Sequence, residues 1–255
     1  VVDFVHVEWG RGAERDGFAA TVIVDCLSFS TATSVACGRG ALVVPVAERE
    51  TGKALAAEVG ATCAGKRREG GFTLSPPSLM NLDAGDMLVL PSPNGATLSA
   101  LPREGRVFAG TLRNAAALAS YLKEVPGKIL LLAAGEKWPD GSLRPAFEDQ
   151  LACGALAHLL ESPMSPEASM ARAGYLSFAE GLHEALQGCV SGQELSRHGY
   201  ACDVEWAAQQ DSETCVPELL QINCANQVLS AFVDVSTPDI AGSKVELTSG
   251  FILPE

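Results

Sequence analysis

Short uninterrupted apolar runs alternate along this chain with stretches whose apolar positions recur at helical spacing, and a polar turn joins each pair. "ATVIVDC" (20–26) is predicted as a buried strand and "TATSVACGRG" (31–40) as the helix after it. The same alternation repeats in "ALVVPV" (41–46) with the helix 48–60, closed by Gly60, and in the short strand "ATCAG" (61–65). It continues in strand 86–92 with helix 94–101, strand 106–110 with helix 115–125, and "KILLLAAG" (128–135) with helix 145–162. Pro145 suits the first turn of that last helix. Beyond it the pattern turns helical over 167–188, 191–197 and 200–209. The tail is less regular: 227–236 fits strand or helix, and 244–253 reads as a strand.

Continuous apolar strands alternating with helices predict a largely parallel, or mixed, sheet covered on both faces. Ligands of such sheets bind outside the carboxyl ends of the strands. That rule selects the turns Asp25–Thr33, Ser92–Thr97, Thr111–Asn114 and Gly135–Asp149, together with the long Gly-, Pro- and Ser-rich loop 66–84. Each of the four turns carries small polar residues into a helix, whose first N–H groups form an anion site. Ser30 or Thr31, Asn94 and Asn114 are also good helix caps, and capping alone accounts for any one of them.

Composition narrows the function. The 255 residues are 47% hydrophobic but only 6% aromatic, which favours closely packed helices on a sheet. A net charge of −13 repels nucleic acid and anionic membranes, so neither is expected as a partner. An anionic substrate then needs a local cationic or hydrogen-bonding pocket, or a metal ion. Lys66, Arg67 and Arg68 form the one dense basic cluster, which serves equally well as a solvated loop or an anion site. Eight scattered cysteines without a CxxC pair or zinc spacing read as reduced buried thiols, and with no apolar leader pattern they suggest a cytoplasmic protein. No GxGxxG follows a strand, "AGKRREGG" lacks the hydroxyl residue of a P-loop after Lys66, and GxSxG and HExxH are absent.

The acids discriminate further. Asp25 ends a strand expected to be central, where helix capping explains a carboxylate least. Glu148 and Asp149 sit in a first helical turn on otherwise apolar stripes, whereas Gln150, Gly154, Ala157 and Glu161 form the expected solvent face. A first-turn acid pair also complements the helix dipole, so a surface role stands beside a catalytic one. Together Asp25, Glu148 and Asp149 could hold magnesium, which takes a few carboxylates and bridges to phosphate oxygens. Ser30, Thr31 or Cys26 could act as a nucleophile, though no adjacent base is evident. Of the histidines, only His198 falls near a predicted turn.

"VIVDCLSFSTAT", "SPNGAT", "AAGEKWPDGSLRPAFEDQLACGAL" and "SGQELSRHGYACDVEWAAQQDSETCVPEL" occur in the order and spacing of the 2-phosphosulfolactate phosphatase family, which the chain resembles from about Val22 to Pro217. The resemblance implies a three-layer α/β/α domain over 1–217, with 218–255 as a C-terminal extension packed on it. It also implies magnesium-dependent hydrolysis of 2-phosphosulfolactate to sulfolactate and phosphate, a step of coenzyme M biosynthesis. Asp25, Glu148 and Asp149 become the acidic, catalytic and metal-holding residues. Ser28, Ser30, Thr31, Arg67, Asn94, Gly95, Thr97 and Asn114 become candidate contacts to a small anionic phosphorylated substrate. The chain departs from the family where Ser28 and Gln193 stand in place of arginines, Lys66 in place of Glu and Thr73 in place of Asp. Serine and glutamine cannot reproduce the planar arginine fork. A non-catalytic anion-binding homologue is therefore the alternative, and a homo-oligomer built through the Ala- and Cys-rich helices is a third.

Overall fold

The apolar runs form the strands of one large sheet. A computed structural model describes residues 1–13, 16–101, 103–236 and 246–247. Its strands β1 (Val2–Trp9), β2 (Ala20–Val24), β3 (Leu42–Val46), β4 (Thr62–Cys63), β5 (Met87–Pro91), β6 (Arg106–Gly110) and β7 (Gly127–Ala133) follow the predicted runs, with β1 in addition. β8 (Glu136–Lys137) and β9 (Leu143–Arg144) make a separate two-stranded ribbon. β10 (Pro217–Cys224) and β11 (Gln227–Asp234) form a hairpin, and β12 (Glu246–Leu247) pairs with β10. The rest of the predicted strand 244–253 lies outside the described residues.

The sheet order is β1-β7-β2-β6-β10-β11-β3-β5-β4. β1, β7, β2 and β6 run parallel, as do β3, β5 and β4. The hairpin joins the two sets antiparallel to both, so the sheet is mixed at its middle rather than at an edge. Its turn, Ala225–Asn226, has positive φ at both positions (48° and 65°), the backbone that matches strand twist in a two-residue hairpin.

The helices are α1 (Phe29–Gly38), α2 (Arg49–Val59), α3 (Gly95–Ser99), α4 (Ala115–Leu122), α5 (Phe147–Leu160), α6 (Pro166–Phe178), α7 (Leu182–Gly188), α8 (Val190–Arg197) and α9 (Ala201–Ala207). Strand alternation sorts them into two layers. Val22, Val24, Ile129 and Leu131 pack with Leu118 of α4 and Leu156 of α5 on one face. Ile23, Leu130, Leu132 and Leu88 pack with Phe29 and Ala32 of α1 and Leu98 of α3 on the other. This is a three-layer α/β/α arrangement.

Three helical expectations change. The predicted helix 167–188 breaks into α6 and α7 at a 3₁₀ turn over Ala179–Gly181. α5 begins two residues after Pro145, which precedes its cap residue Ala146. The supposed solvent face of α5 is also largely covered, with Gly154 and Ala157 buried. A Cβ on Gly154 would lie 2.1 Å from the Ala171 carbonyl oxygen of α6, so the two backbones meet where only glycine fits.

Twist positions the site. β2 and β5 stand five places apart in the sheet order, about 24 Å in a flat sheet at roughly 4.8 Å per strand. Yet the Gly95 N–H, in the turn after β5, donates to Asp25 Oδ2 just after β2 at 2.7 Å. The sheet curls enough to bring these strand ends together.

Candidate active site

The carboxyl ends of β2, β5 and β7 converge on a cavity of about 480 Å³. Asp25 forms part of its wall and is itself 6% exposed. Its Oδ2 accepts the Gly95 N–H and its Oδ1 the Phe29 N–H at 3.3 Å. Burial pushes its pKa up to about 6, against those two hydrogen bonds, and the nearby Glu136 and Glu148 carboxylates push the same way. A carboxyl titrating near 6 can exchange protons at neutral pH.

A cation lines the same cavity. Arg67, from the long loop, donates from Nε to Asp203 Oδ2 of α9 at 2.9 Å and from Nη2 to Ser28 Oγ at 2.9 Å. Its guanidinium lies 5.4 Å from the Tyr200 ring centre. Asp203 is buried and also accepts a hydrogen bond from Ser75 Oγ, so loop and helix hold the fork in one orientation. Arg67, Ser28, Ser92, Asn94, Glu136 and His198 all line the cavity with Asp25. Asn94 Nδ2 donates to Glu136 Oε1 at 3.1 Å, tying the β5 turn to β8.

Glu148 and Asp149 lie behind this wall rather than on it. Asp149 accepts the Cys26 N–H at 2.7 Å and the Gly135 N–H at 2.9 Å, bracing the turns after β2 and β7. Burial raises its pKa, and the charges of Glu148 and Asp25 add to that. Glu148 is buried with Oε2 3.4 Å from Cys189 Sγ. The three acids thus meet electrostatically but do not form a ligand cage. Among the described residues no group of three or more His, Cys, Asp or Glu side chains is placed to hold a metal.

Several hydroxyls expected at the substrate are internal. Ser30 Oγ accepts the Asp25 N–H and donates to the Ile23 carbonyl, while Thr31 Oγ1 donates to the Cys26 carbonyl and meets Thr111 Oγ1 at 2.9 Å. Asn114 accepts the Thr111 N–H and donates to the Ala109 carbonyl. All three are fully buried and shape the turns. The first two N–H groups of α1, expected to grip an anion, are taken by Asp25 itself: Phe29 donates to its Oδ1 and Ser30 to its carbonyl oxygen. Thr97 lies off the cavity wall, and Gly95 contributes its backbone to Asp25. Cys26 is fully buried and off the cavity wall, and burial, reinforced by Asp149 and Glu148, raises its thiol well above the ordinary range.

The family model for 2-phosphosulpholactate phosphatase matches residues 11–221 of this sequence. The chain belongs to this family. A relative named "Probable 2-phosphosulfolactate phosphatase", from Carboxydothermus hydrogenoformans, is 29% identical over 211 residues, covering 78% of this chain and 85% of its own length. The family is one of phosphatases, phosphoric monoester hydrolases acting on small phosphorylated substrates.

Two of the chain's departures from the family fall in different places. Ser28, in place of an expected arginine, receives the Arg67 fork and helps to hold it. Gln193 is exposed and bonded to the Gly188 carbonyl and Arg197, away from the cavity wall. Glu136 and Asp203 were missed in the sequence. Glu136 sits in the short ribbon, with no periodic signal, and Asp203 is one acid of an ordinary helical first turn. A magnesium ion, which the resemblance implies, would find donors here: Asp25, Glu136 and Glu194 line one cavity, Glu194 being paired with Arg144, and magnesium commonly takes one or two carboxylates plus water and phosphate oxygens.

Proposed function

We propose that this chain hydrolyses 2-phosphosulfolactate, or a closely related small phosphorylated acid, to the hydroxy acid and phosphate, with magnesium bound by Asp25 and Glu136. One observation carries the reading: a guanidinium locked by Asp203 and Ser28 faces the same cavity as a carboxylate whose pKa is raised to about 6. In a chain of charge −13, that cation is what an anion meets on entering.

Arg67 binds phosphate or the acid group through the guanidinium N–H groups not directed at Asp203 and Ser28, with Asn94, Ser92 and Ser28 adding neutral hydrogen-bond partners. Bound magnesium would offset the repulsion between phosphate oxygens and the two carboxylates and polarise the phosphoryl group. Asp25, in its ionised form, accepts the proton of the attacking water. His198, at the end of α8 on the same cavity, returns a proton to the leaving alkoxide. Glu148 and Asp149 act from behind, keeping Asp25 basic and its turn fixed.

Phosphate release should be measured from 2-phosphosulfolactate, other 2-phospho acids and an aryl phosphate, with magnesium and with EDTA. Wild type and Asp25→Asn are compared. The reading expects magnesium-dependent release that the variant lacks. Release from no compound by folded protein would refute it and favour the anion-binding alternative.

A further inference from the structure

A second cavity, of about 380 Å³, adjoins the first, and the two share Pro93, Asn94 and Glu136. Its remaining wall differs in chemistry. Trp9 at the end of β1, Leu98 of α3, Ala134 after β7 and Leu143 of β9 contribute to it. Arg11 and Lys137 bring positive charge to the same space.

A three-carbon phosphorylated acid carries a polar or charged group on each end, and burying such groups against indole and leucine is unfavourable. Such an acid leaves the apolar surface of Trp9, Leu98 and Leu143 uncovered, and either cavity by volume reaches the range of sites for much larger ligands. We infer that this site takes phosphomonoesters of 2-hydroxy acids whose alcohol carries an aromatic or branched aliphatic body, seated in the second cavity against Trp9, Leu98 and Leu143. The phosphate lies by Arg67 and Asp25, and the ester's body extends past Pro93, Asn94 and Glu136, which line both spaces. This inference rests on the phosphatase reading above.

A matched pair tests it: 2-phospholactate and its 3-phenyl derivative, which differ by one ring. Phosphate release gives kcat/KM for each, and calorimetry with EDTA present gives each affinity. The phenyl compound should be preferred by about tenfold or more, the discrimination a hydrophobic pocket supplies. Trp9→Ala should bring that ratio close to unity. Leu143→Asp should do the same, and because Leu143 is 40% exposed its replacement leaves the core packing intact. No phenyl preference, or a preference unchanged in the folded Leu143→Asp protein, overturns the inference. Turnover of 2-phospholactate without that preference would sink the inference alone. A phenyl-selective affinity lost in Leu143→Asp, with no turnover of either compound, would sustain the cavity assignment and refute the phosphatase reading.

Discussion

Replacing Asp25 by asparagine should separate chemistry from stability. The folded protein holds this carboxyl at a pKa of about 6, against 3.8 for the free group, chiefly because it is buried. Between those values the native state binds a proton that the unfolded chain has released. Wild-type stability therefore falls as pH rises from about 4 to 6, and the full penalty persists above 6. Each pKa unit corresponds to about 1.4 kcal/mol, so the site costs roughly 2 to 3 kcal/mol more at pH 7.5 than at pH 4. Asparagine has no such titration. It offers one carbonyl oxygen where Gly95 and Phe29 each donate to a separate carboxylate oxygen, a loss of about 1 to 2 kcal/mol at every pH. Urea unfolding in EDTA should find the variant less stable than wild type at pH 4 and as stable or more so at pH 7.5. Phosphate release should vanish. An identical stability difference at both pH values would refute the buried-acid account, and undiminished turnover would remove Asp25 from the mechanism.

Other perturbations address the rest of the site. Asp203→Asn weakens the charge-assisted bond that orients Arg67 and should raise KM about tenfold with kcat changed far less; an equal fall in kcat would mean that Arg67 acts in the transition state instead. Gly95→Ala places a Cβ 2.3 Å from the Phe29 ring and 2.8 Å from Asp25 Oδ2. It should cost about 1 to 3 kcal/mol by denaturation and depress kcat by shifting the acid, and a variant with wild-type stability would contradict that packing. Glu136→Gln should raise the magnesium concentration giving half-maximal rate by about tenfold or more after EDTA treatment, since one of two carboxylates is lost. An unchanged magnesium titration would take Glu136 out of the ion site.

Part of the candidate site is legible because its chemistry coincides with a break in a strong local pattern. Asp25 stands out as a charge at the end of a fully apolar strand, and Arg67 as part of the one dense basic cluster in a long loop. Ser30, Thr31 and Asn114 were misleading for the same reason. A hydroxyl or amide at a strand-to-helix turn looks alike whether it faces a ligand or bonds its own backbone, and here it bonds the backbone. For Glu148 and Asp149 the sequence leaves a surface and a catalytic role side by side; both are buried, and which way their oxygens point depends on Cys26, Gly135 and Cys189.

Local physics in the sequence determined the elements: buried strands from unbroken apolar runs, helices from their periodicity, and two covered sheet faces from both together. β1 escaped because its burial alternates along the strand, as suits a strand at the end of the sheet order. Only the tertiary structure decided that the β10–β11 hairpin enters the middle of the sheet. It also decided that the resulting curled sheet brings the end of β5 against the end of β2. Periodicity specifies which face of an element is buried but not what buries it. The pairing of Asp25 with Gly95, and of Arg67 with Asp203 across 136 residues, exists only once the sheet has closed on its helices.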